Sequence, residues 1–321
     1  MAPDTVRFSI VIPTYNRAPL IGRAVDCALR QTFPAHEIFV VDDGSTDNTI
    51  EVVRGIDARV QVIPLDHGGP SRARNRGVAR ASGEWIAFLD SDDLWHPDYL
   101  QRMARAIRET GGEAAIYFSD VEYQYGRSHV MHWTACVFTP ERPVTLFRDG
   151  STLAMMGTHP MLIPFSVFRK EAYLRHGGLW EELWSAEDTH LFIKMGLQES
   201  LCAVGGSGGV VTADERDPEN RLTVAFDTAT IKRWRGMVKM YKDLLANVPS
   251  ISGLQRKELN KRLAHSYWRI SRLAWLDGRY ADSASAFALS LRTDCRVIPG
   301  QLQRVLSRSS SAPNRRSSLT R

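Results

Sequence analysis

Phe88-Leu89-Asp90-Ser91-Asp92-Asp93 is an apolar strand that ends abruptly in three carboxylates within four residues. A buried strand that delivers acids to one point has a use for a cation there. An earlier strand, Glu37-Ile38-Phe39-Val40-Val41, ends the same way in Asp42-Asp43-Gly44-Ser45. Two acid-tipped strands in one open α/β unit point to a nucleotide and metal site at the strands' carboxyl ends.

The surrounding pattern alternates. Phe8 to Ile12 is a continuous apolar run, as expected of a parallel strand buried on both faces, and Pro13-Thr14-Tyr15-Asn16 ends it. Leu20, Ile21, Ala24, Val25, Ala28 and Leu29 then recur at helical spacing. Thr46 or Asp47 is placed to cap a helix through Arg54, and Ser71 to cap one reaching Ala81. Strands are expected at 59–63, 84–89 and 114–119, with a helix from Pro97 to Glu109. This rhythm means βαβ units: an α/β fold with a Rossmann-like, mostly parallel sheet. Residues 120–160 are less regular and read as a β excursion or flexible loops. Pro164 to Arg169 reads as a strand, Lys170 to His176 as a short helix, and Gly205 to Gly209 as a mobile loop.

From about Asp227 the pattern turns wholly helical. Ala264, Tyr267, Trp268, Ala274, Trp275, Gly278, Tyr280, Ala284, Phe287 and Ala288 resemble one tetratricopeptide-type hairpin. The expected organisation is a catalytic domain at 1–226, a C-terminal all-helical extension at 227–306 and a disordered Ser/Arg-rich tail at 307–321. Charge divides along the same line. Residues 227–321 carry 19 Lys+Arg against 6 Asp+Glu, and residues 1–226 carry 22 against 30. The basic part suits an anionic membrane surface, an acidic acceptor or simply solvent. No stacking or zinc module accompanies the charge, so nucleic acid is not an expected partner. No apolar stretch reaches the roughly 18–20 residues of a membrane span. The N-terminus enters a strand without a leader pattern, and the four cysteines, Cys27, Cys136, Cys202 and Cys295, are scattered. The expected setting is cytoplasmic, with peripheral contact at the inner face of a membrane through the basic helices.

Several residues can carry chemistry. Asp90-Ser91-Asp92 offers two hard carboxylates of the kind that hold Mg²⁺ or Mn²⁺ beside a diphosphate, or else a loop of capping aspartates. Asp43 can accept from a base or ribose, with Gly44 permitting close backbone approach; the alternative is an ordinary turn. Tyr15 can stack on a base or pack in the core. Arg72, Arg74 and Arg76 share one helix but point apart, and Arg74 with Asn75 is the pair favoured for a phosphate or ribose. Glu187-Asp188 opens a helix, where acids are ordinary, and one of them can serve as a general base. His159 and Trp184 can face an acceptor or simply pack.

Val11-Ile12-Pro13-Thr14-Tyr15-Asn16, Val41-Asp42-Asp43-Gly44-Ser45-Thr46-Asp47, Ala73-Arg74-Asn75-x-Gly77, Phe88-Leu89-Asp90-Ser91-Asp92-Asp93 and Glu187-Asp188 together resemble family-2 glycosyltransferases of the glycosyltransferase-A fold, over about residues 7–225. The resemblance implies an inverting sugar transferase in polysaccharide biosynthesis. It implies a nucleotide-sugar donor, usually UDP-linked, a Mn²⁺ or Mg²⁺ ion, and a glycan, lipid-linked or small-molecule acceptor. By the same resemblance Pro13, Thr14 and Tyr15 line the nucleoside pocket and Asp43 binds the base. Asp90 and Asp92 form the metal motif, with Asp92 the direct ligand and Ser91 against the donor. Asp188 matches the catalytic base. Some relatives carry a further metal-ligand His after the base. Residues 205–223 have Asp214, Glu215, Arg216 and Asp217 but no His, which leaves Arg216 or Arg221 for phosphate. A sugar nucleotidyltransferase would need a Gly-rich phosphate loop that residues 13–19 lack. A nucleotide-sugar-binding scaffold without turnover would not need all of these acids.

Overall fold

Alternation along β1 (Phe8–Thr14) explains its unbroken apolar run: Phe8, Ile10 and Ile12 enter one core, and Val11 enters the other. The computed structural model describes residues 6–125, 128–183, 185–212 and 230–296. The chain divides into two compact units, Met1–Ala225 and Phe226–Arg321.

The first unit is a mixed sheet with helices on both faces. In chain order its elements are β1, α1 (Ile21–Leu29), β2 (Glu37–Asp42), α2 (Thr49–Arg54), β3 (Val60–Pro64), α3 (Pro70–Arg80), β4 (Trp85–Phe88), β5 (Leu94–Trp95) and α4 (Tyr99–Glu109). There follow β6 (Ile116–Tyr125), β7 (Ser128–Met131), α5 (His132–Cys136), β8 (Val144–Phe147), α6 (Ser151–Ala154), β9 (Ser166–Arg169), α7 (Lys170–Arg175), α8 (Glu187–Gly196) and β10 (Leu201–Thr212). The strand order is β3-β2-β1-β4-β9-β6-β10-β5, with β7 on β6 and β8 on β10. β3-β2-β1-β4 is parallel throughout, the Rossmann-like half the alternating pattern implies. β6 and β10 are also parallel, and β9 enters antiparallel between β4 and β6.

The chain leaves β1 for β2 on one side and returns to β4 on the other. The carboxyl ends of β1 and β4 are therefore the topological switch point, where such sheets open a crevice. The helix α1 packs Ile21, Ala24, Val25 and Ala28 on one face; α3 and α8 close the other with Ala73, Val78, Leu191, Phe192 and Met195. Gly77 lets α3 lie against β1, since a Cβ there would come 2.3 Å from Val11 Cγ1.

One reading is filled in and two change. Residues 120–160 include β7, α5, β8 and α6 beside the end of β6. The strand expected at 164–169 starts at Ser166, because Ile163–Phe165 forms a 3-10 turn around Pro164. Gly205 to Gly209 is no loop: it lies within β10, with register shifts between Val204 and Ser207 and between Ser207 and Val210. Its glycines serve close approach. A Cβ on Gly208 would meet Ser119 Oγ at 2.3 Å, and one on Gly209 the Leu94 carbonyl at 2.0 Å.

The second unit consists, among the described residues, of α9 (Ile231–Asn247), α10 (Gly253–Leu276) and α11 (Tyr280–Thr293). Ser252 and Gln255 form a capping box that starts α10. Gly278, at φ +74°, turns the chain into α11. Small residues bring the last two helices together: Ser290 Oγ donates to the Ala264 carbonyl at 2.8 Å, and Ser271 and Ser283 share a hydrogen bond. No described helix is long and apolar enough to cross a membrane.

Gly209→Ala is expected to lower stability by about 1–3 kcal/mol through overpacking against β5, read as a fall in the urea midpoint. An unchanged midpoint would refute so close a β5–β10 contact.

Candidate active site

Leu89 to Asp93 leaves β4 at the switch point and is held there from the far side of the sheet. β5 pairs with Gly209 and Val210, Thr212 Oγ1 donates to the Asp92 carbonyl, and Trp95 Nε1 donates to the Pro164 carbonyl. The acid turn is thus clamped by β10, the strand whose glycines permit it. Ser91 and Asp93 are buried in the turn, while Asp90 and Asp92 keep partly open carboxylates.

Each of those two carboxylates has a guanidinium. Arg74, on α3 and buried, donates from Nη2 to Asp90 Oδ1 at 2.5 Å. Arg17, buried after β1, brings Nη2 to 3.9 Å from Asp92 Oδ2. Burial works against the Arg74 charge. Asp90 first, and Glu187 after it, hold the Arg74 guanidinium above its ordinary range instead.

Glu187 and Asp188 open α8 behind Ala186, whose φ of +65° is left-handed. Asp188 Oδ1 accepts from the Thr189 amide at 2.5 Å and from its hydroxyl at 3.2 Å. Burial, then the Asp188 charge, push the Glu187 carboxyl up to about 7; Arg74 opposes the rise and Asp90 adds to it. Glu187, read from sequence as a helix-start acid, therefore belongs to the cluster.

On the β1–β2 side, Pro13 and Thr14 are buried at the end of β1. The Thr14 hydroxyl and Asp42 Oδ1 are buried without a hydrogen-bond partner among the described residues. Tyr15 is 40% exposed, and its ring lies 4.4 Å from that of His67. Asp43, nearly buried, accepts from the Gly68 and Gly69 amides at 2.9 and 2.8 Å, and His67 Nδ1 is 2.9 Å from its Oδ2. Two ionised oxygens carry about four acceptor sites, so a base N–H can still be received.

Asn75, expected at the nucleotide, is hydrogen-bonded within the protein. Its Nδ2 donates to the Leu179 carbonyl and Glu181 Oε1, at 2.8 and 3.0 Å. Its Oδ1 accepts from the Tyr173 hydroxyl and the Leu179 amide, at 2.7 and 3.1 Å. An amide offers two donors and two acceptor lone pairs, and all are used inside the protein. Asn75 ties α3 to residues 173–181. Of the other arginines, Arg72 caps the Asp66 carbonyl and Arg76 is exposed. His159 gives its carbonyl to His132 and Cys136. Trp184, Asp214, Glu215, Arg216, Asp217, Arg221 and the 307–321 tail lie outside the described residues.

Arg17 and His67 are the residues the sequence reading missed, and Glu187 is one it named but left out of the site. The signal for His67 was present: Gly68-Gly69-Pro70 follows a strand and opens a helix.

Comparison with known proteins decides the family. The model of glycosyl transferase family 2 matches residues 9–174, over half of the chain. The chain belongs to this family. Succinoglycan biosynthesis protein ExoO of Rhizobium meliloti is 44% identical over 122 residues, which are 37% of this chain and 35% of that protein. Chondroitin synthase of Pasteurella multocida is 33% identical over 193 residues, 58% of this chain and 18% of that protein. The chain thus spans about a third or less of these relatives' length. S. aureus TarS 1-349 in complex with UDP-GlcNAc superposes with TM-score 0.67 at 18% identity, covering 93% of this chain and 92% of that one. The mannosyltransferase PcManGT of Pyrobaculum calidifontis, with GDP-Man and Mn²⁺, gives TM-score 0.55 at 20% identity, covering 95% and 80%. These likenesses show the glycosyltransferase fold.

No group of three or more His, Cys, Asp or Glu among the described residues is arranged to hold a metal ion. A hard cation that keeps water and diphosphate oxygens needs only one or two carboxylates, so Asp90 and Asp92 fit it.

Asn75→Ala is expected to cost about 1–3 kcal/mol of stability, with the donor KM unchanged; a raised KM at unchanged stability would return Asn75 to the donor pocket. A second expectation concerns pH. The folded chain keeps a proton on Glu187 that the unfolded chain releases from its ordinary 4.5. Stability from this group therefore falls as pH rises from about 4.5 to 7. Glu187→Gln should flatten that part of the urea-stability profile, and a profile parallel to wild type would remove Glu187 from the cluster.

Proposed function

We propose that this glycosyltransferase moves a sugar from a UDP-linked donor to an acceptor hydroxyl with inversion at the anomeric carbon. The observation that carries the reading is the gathering of Asp90, Arg74, Glu187 and Asp188 at one switch point. Beside it lie the Tyr15–His67 ring pair and Asp43, a step for a base and an acceptor for its N–H. Neighbours solved with UDP-GlcNAc, and with GDP-Man and Mn²⁺, support a nucleotide sugar and a divalent ion. Relatives named for succinoglycan biosynthesis and chondroitin synthesis support a polysaccharide product and a glycan acceptor. All four cysteines are free, which suits a reducing, cytoplasmic setting.

Mn²⁺ or Mg²⁺, held by Asp92 and Asp90, would stabilise the negative charge that builds on the departing diphosphate. Pro13 and Thr14 wall the nucleoside, Tyr15 stacks on its base, and Asp43 accepts from it. Ser91 lies against the donor. Arg74 balances the carboxylates and keeps Asp90 oriented. Asp188 takes the acceptor proton as the acceptor oxygen attacks the anomeric carbon and the carbon–diphosphate bond breaks on the opposite face. One base suffices for a single displacement. A protonated Glu187 adds no second negative charge beside it.

The test is nucleotide release from UDP-, GDP- and dTDP-sugars with Mn²⁺, Mg²⁺ or chelator. Metal-dependent release from one donor, lost in Asp92→Asn, is expected. Asp188→Asn should keep donor affinity and lose transfer by 10²-fold or more, roughly the worth of a general base. Transfer retained by Asp188→Asn would overturn the base; release unaffected by chelator and by Asp92→Asn would overturn the metal motif.

A further inference from the structure

Helix α10 has two faces. Leu263, Tyr267, Ile270 and Ala274 are buried. His265, Trp268, Arg269, Arg272, Trp275 and Leu276 occupy the opposite side, an arc of roughly 120° at 3.6 residues per turn. From His265 to Trp275 this face runs about 15 Å. Arg272 is exposed, and Trp275 and Leu276 are 61% and 69% exposed.

Rings and guanidinium groups interleave along it. The Trp234 ring of α9 lies 5.5 Å from His265, which stacks on Trp268 at 5.8 Å. The Arg269 guanidinium sits 4.8 Å over Trp234, and that of Arg272 5.9 Å over Trp268. Arg233 of α9 is close enough that burial, then the like charges of Arg272 and Arg233, lower the Arg269 pKa from its ordinary value while the guanidinium stays charged. Several other basic groups in this unit have carboxylate partners: Lys261 and Arg262 pair with Glu258, Arg279 with Asp277, and Arg296 with Asp294. Arg233, Arg269 and Arg272 have no carboxylate within ion-pair reach among the described residues. Three like charges held together with no counter-charge are complementary to an anion. Flat rings between them add a surface for a partner that also has faces to stack.

We propose that this face of the helical unit holds an anionic glycan chain. Its guanidinium groups fork onto carboxylate or phosphate substituents, and the exposed Trp275 stacks on a sugar ring. A helix that lies in a bilayer separates an apolar face from a cationic one. Here both kinds of side chain share one face, which favours the glycan. The transferase reading supplies only the reason for a glycan to be near, and the binding itself needs no turnover.

The experiment is affinity electrophoresis of the full-length chain in gels containing polygalacturonate, phosphomannan or neutral dextran, without donor. Retardation by at least one of the two anionic glycans and not by dextran is expected, and which one binds tells carboxylate from phosphate. Arg269→Gln/Arg272→Gln should weaken it roughly tenfold or more, as lost charge-assisted hydrogen bonds do. Trp275→Ala should weaken it roughly threefold. The charge-matched Arg292→Gln/Arg296→Gln should change it little, and nucleotide release should be unchanged in all three. The proposal is overturned if neither anionic glycan binds, or if the two double variants behave alike. Tighter binding to phosphatidylglycerol vesicles or poly(U) than to either glycan would also overturn it. Glycan binding in a chain that releases no nucleotide from any donor would count against the transferase mechanism alone.

Discussion

Carboxylates brought to one point repel one another, and the first unit solves that problem with two buried cations. Arg74 reaches Asp90, and Arg17 approaches Asp92. Glu187 sits within the same field and responds by holding its proton to higher pH. Each buried guanidinium offsets the charge of the carboxylate it approaches. The whole site depends on α3 holding Arg74 in place, and α3 is itself held by Gly77 against β1 and by the Asn75 bracket to residues 173–181.

Precision of the acid turn is set from a distance. β5 leaves the turn and pairs with β10, and β10 can receive it only because Gly208 and Gly209 carry no side chains. The same strand returns a hydroxyl, Thr212, to the Asp92 carbonyl. Glycines that look like flexibility in one dimension are close contacts in three.

The helical unit shows a different use of charge. In the first unit cations are buried and matched to acids. On α9 and α10, Arg233, Arg269 and Arg272 have no carboxylate partner among the described residues, and Trp234 and Trp268 lie under two of them. Matched charge organises a site from within, whereas unmatched charge is available to a partner.

The sequence by itself determined the βαβ rhythm of residues 8–119, the acid-tipped strands and the helical character of the C-terminal part. These follow from local periodicity and strand-end composition, which each residue carries with it. It also marked Asp90, Asp92, Asp43 and Asp188, since acids at strand and helix ends are local signals. The tertiary structure decided everything that needs two distant segments. It inserted β9 antiparallel between β4 and β6, and it turned Gly205 to Gly209 into strand. It paired Arg17 with Asp92 across 75 positions, tied Asn75 to residues 173–181, and drew Glu187 into the cluster. Long-range pairing has no periodicity to read, because its partners are chosen by packing, and burial then decides which side chains keep their charge.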